Sequence, residues 1–201
     1  MLERIPPRER RDLLIAWLAI SLAFTLIFIN INTDAITALV FLTISLFTAG
    51  IGFILHEMAH KFTAMRFGYW AEFQKDTQML LVAVVLAALV KVVFAAPGAT
   101  VIYGTSISTS ENGQISAAGP VTNLILCIPF VALAFFSGGI LQLVGLIGFQ
   151  VNAMVAFFNM LPVSVLDGRK VLAWSKGVFA ILFVLSLGTL FFAMTQVAGL
   201  Y

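Results

Sequence analysis

The chain has two histidines in 201 residues, and both fall in the stretch GFILHEMAHKF, at positions 56 and 60. On an α-helix, residues four apart differ by about 40° in azimuth and about 6 Å in rise, so His56 and His60 project side by side from one face. Two imidazoles so placed can share one metal ion. Glu57, turned about 100° from His56, is a poor third ligand but is well placed to hydrogen-bond a water on that metal. This is the spacing used by zinc hydrolases.

The surroundings strengthen the reading. An ionisable side chain inside a membrane helix costs about 2.5 to 3.5 kcal/mol even on the gentler insertion scale. His56, Glu57 and His60 crowd into one such run, and a cation supplies the compensation they need. A catalytic zinc usually keeps three protein ligands and a water. Asp34 falls on the wrong side of the bilayer for this, and Glu72, Asp76 and Glu111 sit in polar segments that read as solvated surface. The one cysteine, Cys127, lies in an apolar run and reads as a small buried hydrophobe. Asp167, in FNMLPVSVLDGRK, remains. Pro162 removes a helix hydrogen bond, and Gly168 would permit a left-handed turn directly after the carboxylate. A helix broken in this way can aim Asp167 across a bundle, although Asp-Gly followed by basic residues is also the pattern of a plain helix-ending loop.

The elements that must position these groups follow from composition. With 61% hydrophobic and 10% charged residues and a mean hydropathy of +1.07, the chain departs far from soluble averages of roughly half apolar and a quarter charged. It reads as an integral protein of a lipid bilayer. The net charge of +2 does not imply a nucleic-acid partner, because the basic residues form short clusters beside apolar runs and no basic face or RNA-binding motif is present. A single cysteine precludes an intramolecular disulfide. The run Leu13 to Ile29 after the basic head is longer than a usual signal-peptide core and has no small-residue cleavage site, so it is expected to stay as the first span.

Four segments are long and apolar enough to cross: 12–31, 36–66, 116–137 and 177–199. A fifth, 140 to about 166, qualifies if a break at Pro162 is allowed, and the run 79–96 is ambiguous. The positive-inside rule puts Arg4, Arg8, Arg10 and Arg11 in the cytoplasm, then Lys61, Arg66 and Lys75, then Arg169, Lys170 and Lys176. The N-terminus is therefore expected to be cytoplasmic, with five full crossings and Lys91 unassigned. Both ends of 76–115 fall inside, so 79–96 must turn back. The following APGATVIYGTSISTSENGQIS, with Pro-Gly and Asn-Gly turn signals, suggests a β-hairpin over 99–117. Lys61 is expected to snorkel to the cytoplasmic surface. The whole is one membrane domain, 1–201: an all-α helical bundle of about five to six transmembrane segments, with a small re-entrant and β-hairpin element between the histidine helix and the next core helix. On this threading Asp167 reaches the depth of His56 and His60.

These residues resemble the site-2 protease family of intramembrane zinc metalloproteases. That family carries His-Glu-x-x-His on one membrane helix and Asn-x-x-Pro-x-x-x-Leu-Asp-Gly on a later one. Here these are His56, Glu57, His60 and then Asn159, Pro162, Leu166, Asp167 and Gly168, with AAGPVTN at 117–123 as a further family-like stretch. The likeness spans roughly 45–170, within a catalytic core of about 36–172, and no PDZ-like domain fits between the motifs. It implies a compact intramembrane metalloendopeptidase with one zinc ion per chain held by His56, His60 and Asp167, and with Glu57 as the catalytic base. Asn123 and Asn159 would orient substrate or stabilise an oxyanion, or serve as interhelical hydrogen-bond partners. The implied partners are a transmembrane protein substrate and the lipid bilayer, the location a cell membrane, and the biology regulated intramembrane proteolysis. Gln150 and Asn152 would line a water path or act as packing contacts. The rival reading is a non-proteolytic zinc-binding membrane protein, a pseudoprotease or helix-binding module. A structural scaffold in which the motif is incidental forms a third class.

Overall fold

The computed structural model describes residues 5–91, 93, 98–104, 106–163 and 165–197. Within these the order is α1 (Pro7–Phe28), α2 (Ala35–Ser45), a π turn (Leu46–Gly50), α3 (Ile51–Arg66), β1 (Trp70–Lys75), α4 (Thr77–Val90), β2 (Gly98–Tyr103), α5 (Thr109–Phe136), α6 (Gly139–Asn159), α7 (Asp167–Trp174) and α8 (Lys176–Val197). Five stretches are long and apolar enough to span a bilayer: Pro7–Phe28, Ala35–Arg66, Thr109–Phe136, Gly139–Asn159 and Lys176–Gln196. They coincide with the expected crossings. Their outward faces carry large apolar side chains such as Leu18, Leu39, Ile128, Phe136 and Phe191, as a lipid-facing surface requires. Pro97 of the expected Pro-Gly turn and the tail 198–201 lie outside the described residues.

Helix α3 continues from α2 through the π turn. Its wide ring leaves the Leu46 carbonyl to accept from Trp17 Nε1 at 2.9 Å, and Gly50 lets that indole sit against the backbone where any Cβ would collide with it. Such π turns recur beside functional sites. Here it sets the rotation of α3 shortly before His56.

The segment between α3 and α5 folds differently from the detailed expectation. A two-stranded element is present, but β2 pairs antiparallel with β1, Trp70 opposite Tyr103 and Lys75 opposite Gly98, and α4 lies between the strands in sequence. The second half of the expected hairpin is instead the start of α5. Ser108 and Glu111 form a reciprocal capping box, which satisfies two N-terminal donors and outweighs the Asn112-Gly113 turn signal. Gly113 sits there because α5 packs against Trp174, whose side chain a Cβ would strike.

At 14 residues α4 is shorter than the five candidate spans. It lies along α1, and Lys91 at its C-cap, in a left-handed conformation (φ 58°), donates from Nζ to the carbonyls of Leu26 (2.5 Å) and Ile29 (2.6 Å). An ammonium on the last carbonyls of α1 is the favourable end of that helix for a cation. Lys91 thus belongs to the end of the bundle opposite the start of α1.

Lys61 does not snorkel. It is fully buried, in an ion pair with Glu9 of α1 and with Nζ 5.6 Å from the Trp70 ring centroid. The first turn of α1 and strand β1 cover it, so its partner is inside the protein and the surface route is closed.

Candidate metal centre

His56 and His60 lie on the inner face of α3, Asp167 at the first turn of α7. The break after Asn159 is abrupt. On its two sides Leu161 N donates to Phe158 O (3.1 Å) and Leu166 N to Val163 O (3.1 Å). Gly168 does not adopt the expected left-handed turn. It is inside α7, and a Cβ there would run into the carbonyls of Met160 and Leu161. Glycine is needed for close approach of two backbones, and that approach brings Asp167 beneath α3.

The three side chains converge. His56 Nε2 and His60 Nε2 are 3.0 Å apart, and Asp167 Oδ2 lies 3.3 Å from the first and 3.1 Å from the second. All three residues are buried. The opposite ring nitrogens are engaged: His56 Nδ1 with Asn123 Oδ1 at 2.6 Å, and His60 Nδ1 with the Ile115 carbonyl at 2.8 Å. A carbonyl only accepts. The Asn123 oxygen is likewise an acceptor, because its Nδ2 donates to Gly52 O (3.3 Å) and Asn152 Oδ1 (2.9 Å). Both Nδ1 atoms therefore carry the proton, and in the neutral rings both Nε2 lone pairs point at each other and at a carboxylate.

Three facing lone-pair donors in a buried site repel one another unless a cation lies between them. Ligand atoms about 2.0 Å from a tetrahedral zinc lie about 3.3 Å apart, close to the separations observed. Nitrogen, nitrogen and carboxylate oxygen suit zinc. The space for the ion is kept by Gly119, where a Cβ would come 2.5 Å from Nε2 of both histidines. The residues present fit a resident zinc. Accordingly Gly119→Ala is expected to lower zinc affinity by about 10-fold or more, read by competition with a chelating dye, with helical content unchanged.

Glu57 is seven per cent exposed and is held by a residue the sequence did not single out. Its Oε2 accepts from Thr100 N at 3.1 Å and Thr100 Oγ1 at 2.9 Å. Strand β2 thus seals one wall of a cavity of about 60 Å³, whose lining includes Glu57, Thr100, Asn159, Leu166 and Lys170 with the three candidate ligands. Asn159 reaches this cavity while its Nδ2 donates to Val155 O at 3.0 Å. Asn123 does not line it; its oxygen is committed to His56 and its amide nitrogen to the Gly52 carbonyl and Asn152. Asn152 is fully buried in that chain of contacts. The partners of metal-bound imidazoles fix ring orientation, and their loss typically costs 10- to 100-fold in affinity. Asn123→Ala is therefore expected to weaken zinc binding by about 10- to 100-fold; titration calorimetry with zinc checks it.

A bundle of apolar spans enclosing two imidazoles and a carboxylate, with a second carboxylate beside them, defines a membrane-type metallohydrolase. The sequence matches the profile of Peptidase family M50 over residues 43–144. It is also 38% identical over 193 residues to "Putative zinc metalloprotease MJ0611" of Methanocaldococcus jannaschii, covering 95% of this chain and 97% of that protein. The chain belongs to peptidase family M50, the site-2 proteases, and is a zinc metalloprotease by that membership. No solved structure matches it.

Proposed function

We propose that the protein is an intramembrane endopeptidase that hydrolyses peptide bonds of single-span membrane proteins near the cytoplasmic side of the bilayer, with one zinc per chain held by His56, His60 and Asp167. The observation that carries this reading is the meeting of three lone-pair donors with the Glu57 carboxylate beside them, at the end of the bundle where α1 begins. The basic residues of that end, Arg66 among them, favour a cytoplasmic face.

Zinc held there would supply a Lewis acid that polarises the scissile carbonyl and lowers the pKa of a water toward about 7. Glu57 takes the proton of the attacking water and returns it to the departing amine, so that the carbonyl carbon gains a C–O bond and loses its C–N bond. Thr100 fixes the Glu57 carboxylate meanwhile. Asn159, which lines the cavity, would donate to the developing oxyanion, and Asn123 would act by orienting His56.

A peptide segment does not fit in about 60 Å³, so the strand pair or the lining residues Val165 and Leu166 must move to admit one. Backbone carbonyls in an intact membrane helix are already bonded and shielded, so the substrate must also unwind locally. An unwound segment can pair along the rest of the outer edge of β2, leaving the Thr100 N–H on Glu57, and so satisfy its backbone in a water-poor site.

Incubation of the detergent-solubilised protein with single-span substrates, with mass-spectrometric mapping of the cut, tests the reading. A substrate with Gly or Pro in its span is expected to be cut about 10-fold or more faster than its all-Leu counterpart. Equal rates would remove the unwinding step from the account, and no cleavage of any span would leave the protein as a zinc-binding helix module.

A further inference from the structure

Glu9 lies in the first turn of α1, outside the residues matched to the family profile. It is buried to within one per cent, as is Lys61. One oxygen, Oε2, pairs with Lys61 Nζ. The other, Oε1, accepts from the backbone N–H of Phe73 in β1 at 2.9 Å. Phe73 stands directly opposite Thr100 in the strand pairing. The Phe73 N–H points outward to Glu9, and the Thr100 N–H points outward to Glu57. Two opposed residues whose amides both face away form a rung without mutual hydrogen bonds. That rung is gripped at each edge by a carboxylate, and both grips end on α3, at Glu57 itself and, through Glu9, at Lys61 one turn further on.

We propose that Glu9 is a positioning residue for the hydrolysis: anchored on Lys61, it holds the Phe73–Thr100 rung against α3 and so sets the place of Thr100 on Glu57. This rests on the reading of Glu57 as the base. Burial of an ion pair is not itself a reason for its presence, since replacement by apolar residues of similar volume is often neutral or stabilising. What apolar residues do not supply is an acceptor for the Phe73 N–H. The pair is thus the means of presenting a fixed oxygen to a strand edge, and the strand transmits the position to the site. A misplacement of about 1 Å in such a site can reduce the rate by about 100-fold.

Two double variants separate this from a structural role, because neither leaves a buried charge unpaired. Glu9→Gln with Lys61→Met keeps an acceptor for Phe73. Glu9→Leu with Lys61→Met does not. Both are compared with wild type as full-length, zinc-loaded protein in micelles, by kcat and KM on a cleavable span and by hydrogen exchange of peptides covering Trp70–Lys75 and Gly98–Tyr103. The Gln variant is expected within about 3-fold of wild type in kcat, and the Leu variant about 10- to 100-fold lower, with KM and zinc content equal and with faster exchange in both strands. Equal kcat and equal exchange in the two variants overturn the proposal, whether both are high or both low. If the Leu variant does not fold, Glu9→Asp in the Lys61 background decides: the shortened acid keeps its charge and withdraws from Phe73, so a reduced kcat at normal zinc content supports the proposal and a wild-type kcat refutes it. If wild type cuts no substrate, the proteolytic reading fails on its own, and the exchange comparison still shows whether Glu9 holds the strands.

Discussion

Replacing Glu57 with glutamine is expected to lower turnover by about 1,000-fold or more while zinc stays bound, since a positioned general base commonly contributes 10²- to 10⁴-fold. Glutamine keeps the volume and an oxygen for the Thr100 N–H and hydroxyl that hold the native carboxylate. What it lacks is basicity. His56, His60 and Asp167 do not use Glu57 to meet, so the metal has no reason to leave. Single-turnover cleavage in detergent, paired with metal analysis of the same sample, measures both halves. Full activity with zinc bound would reassign the base.

Asp167→Ala is expected to be as damaging through the opposite route, by loss of the metal. Without the carboxylate two neutral imidazoles remain, their Nε2 atoms 3.0 Å apart, and a catalytic site usually needs three protein ligands. Retained zinc after desalting should fall from about one per chain to about a tenth or less, and activity with it. The imidazoles keep Asn123 and Ile115 as partners, so the fold should survive. A variant that kept both zinc and activity would remove Asp167 from the site.

The legibility of this chain was uneven for physical reasons. The spans were plain because lipid demands long uninterrupted apolar runs. The convergence of Asp167 on His56 and His60 was accessible because charge clusters at the helix ends fix depth, and depth alone brought the three to one level. Snorkelling is the ordinary answer for a lysine in a span, and Glu9, the partner that holds Lys61 inside, sits in an arginine-rich run that looks solvated. Nothing in the local sequence marks Glu9 as buried. Strand pairing was misassigned because turn signals at 112–113 compete with a capping box at Ser108 and Glu111, and because β1, only six residues long, follows a basic helix end without strong alternation. Thr100 went unseen since a β-branched residue in a strand has no mark of its own. Gly168 does not serve the left-handed turn its sequence suggests; the need is proximity to Met160 and Leu161, which only the folded chain displays. Asn123 was noticed through its motif, while its link to His56 depends on the approach of α5 to α3.

The central claim is that two imidazoles and one carboxylate, brought together from α3 and α7, hold one zinc. X-ray absorption at the zinc edge on the purified protein, beside the His56→Ala and Asp167→Ala variants, tests it most directly. The account predicts about one zinc per chain with nitrogen and oxygen neighbours at about 2.0 to 2.2 Å, an imidazole signature that weakens in His56→Ala, and loss of the ion in Asp167→Ala. A zinc spectrum identical in all three proteins, or a wild type that takes up no zinc, would contradict it.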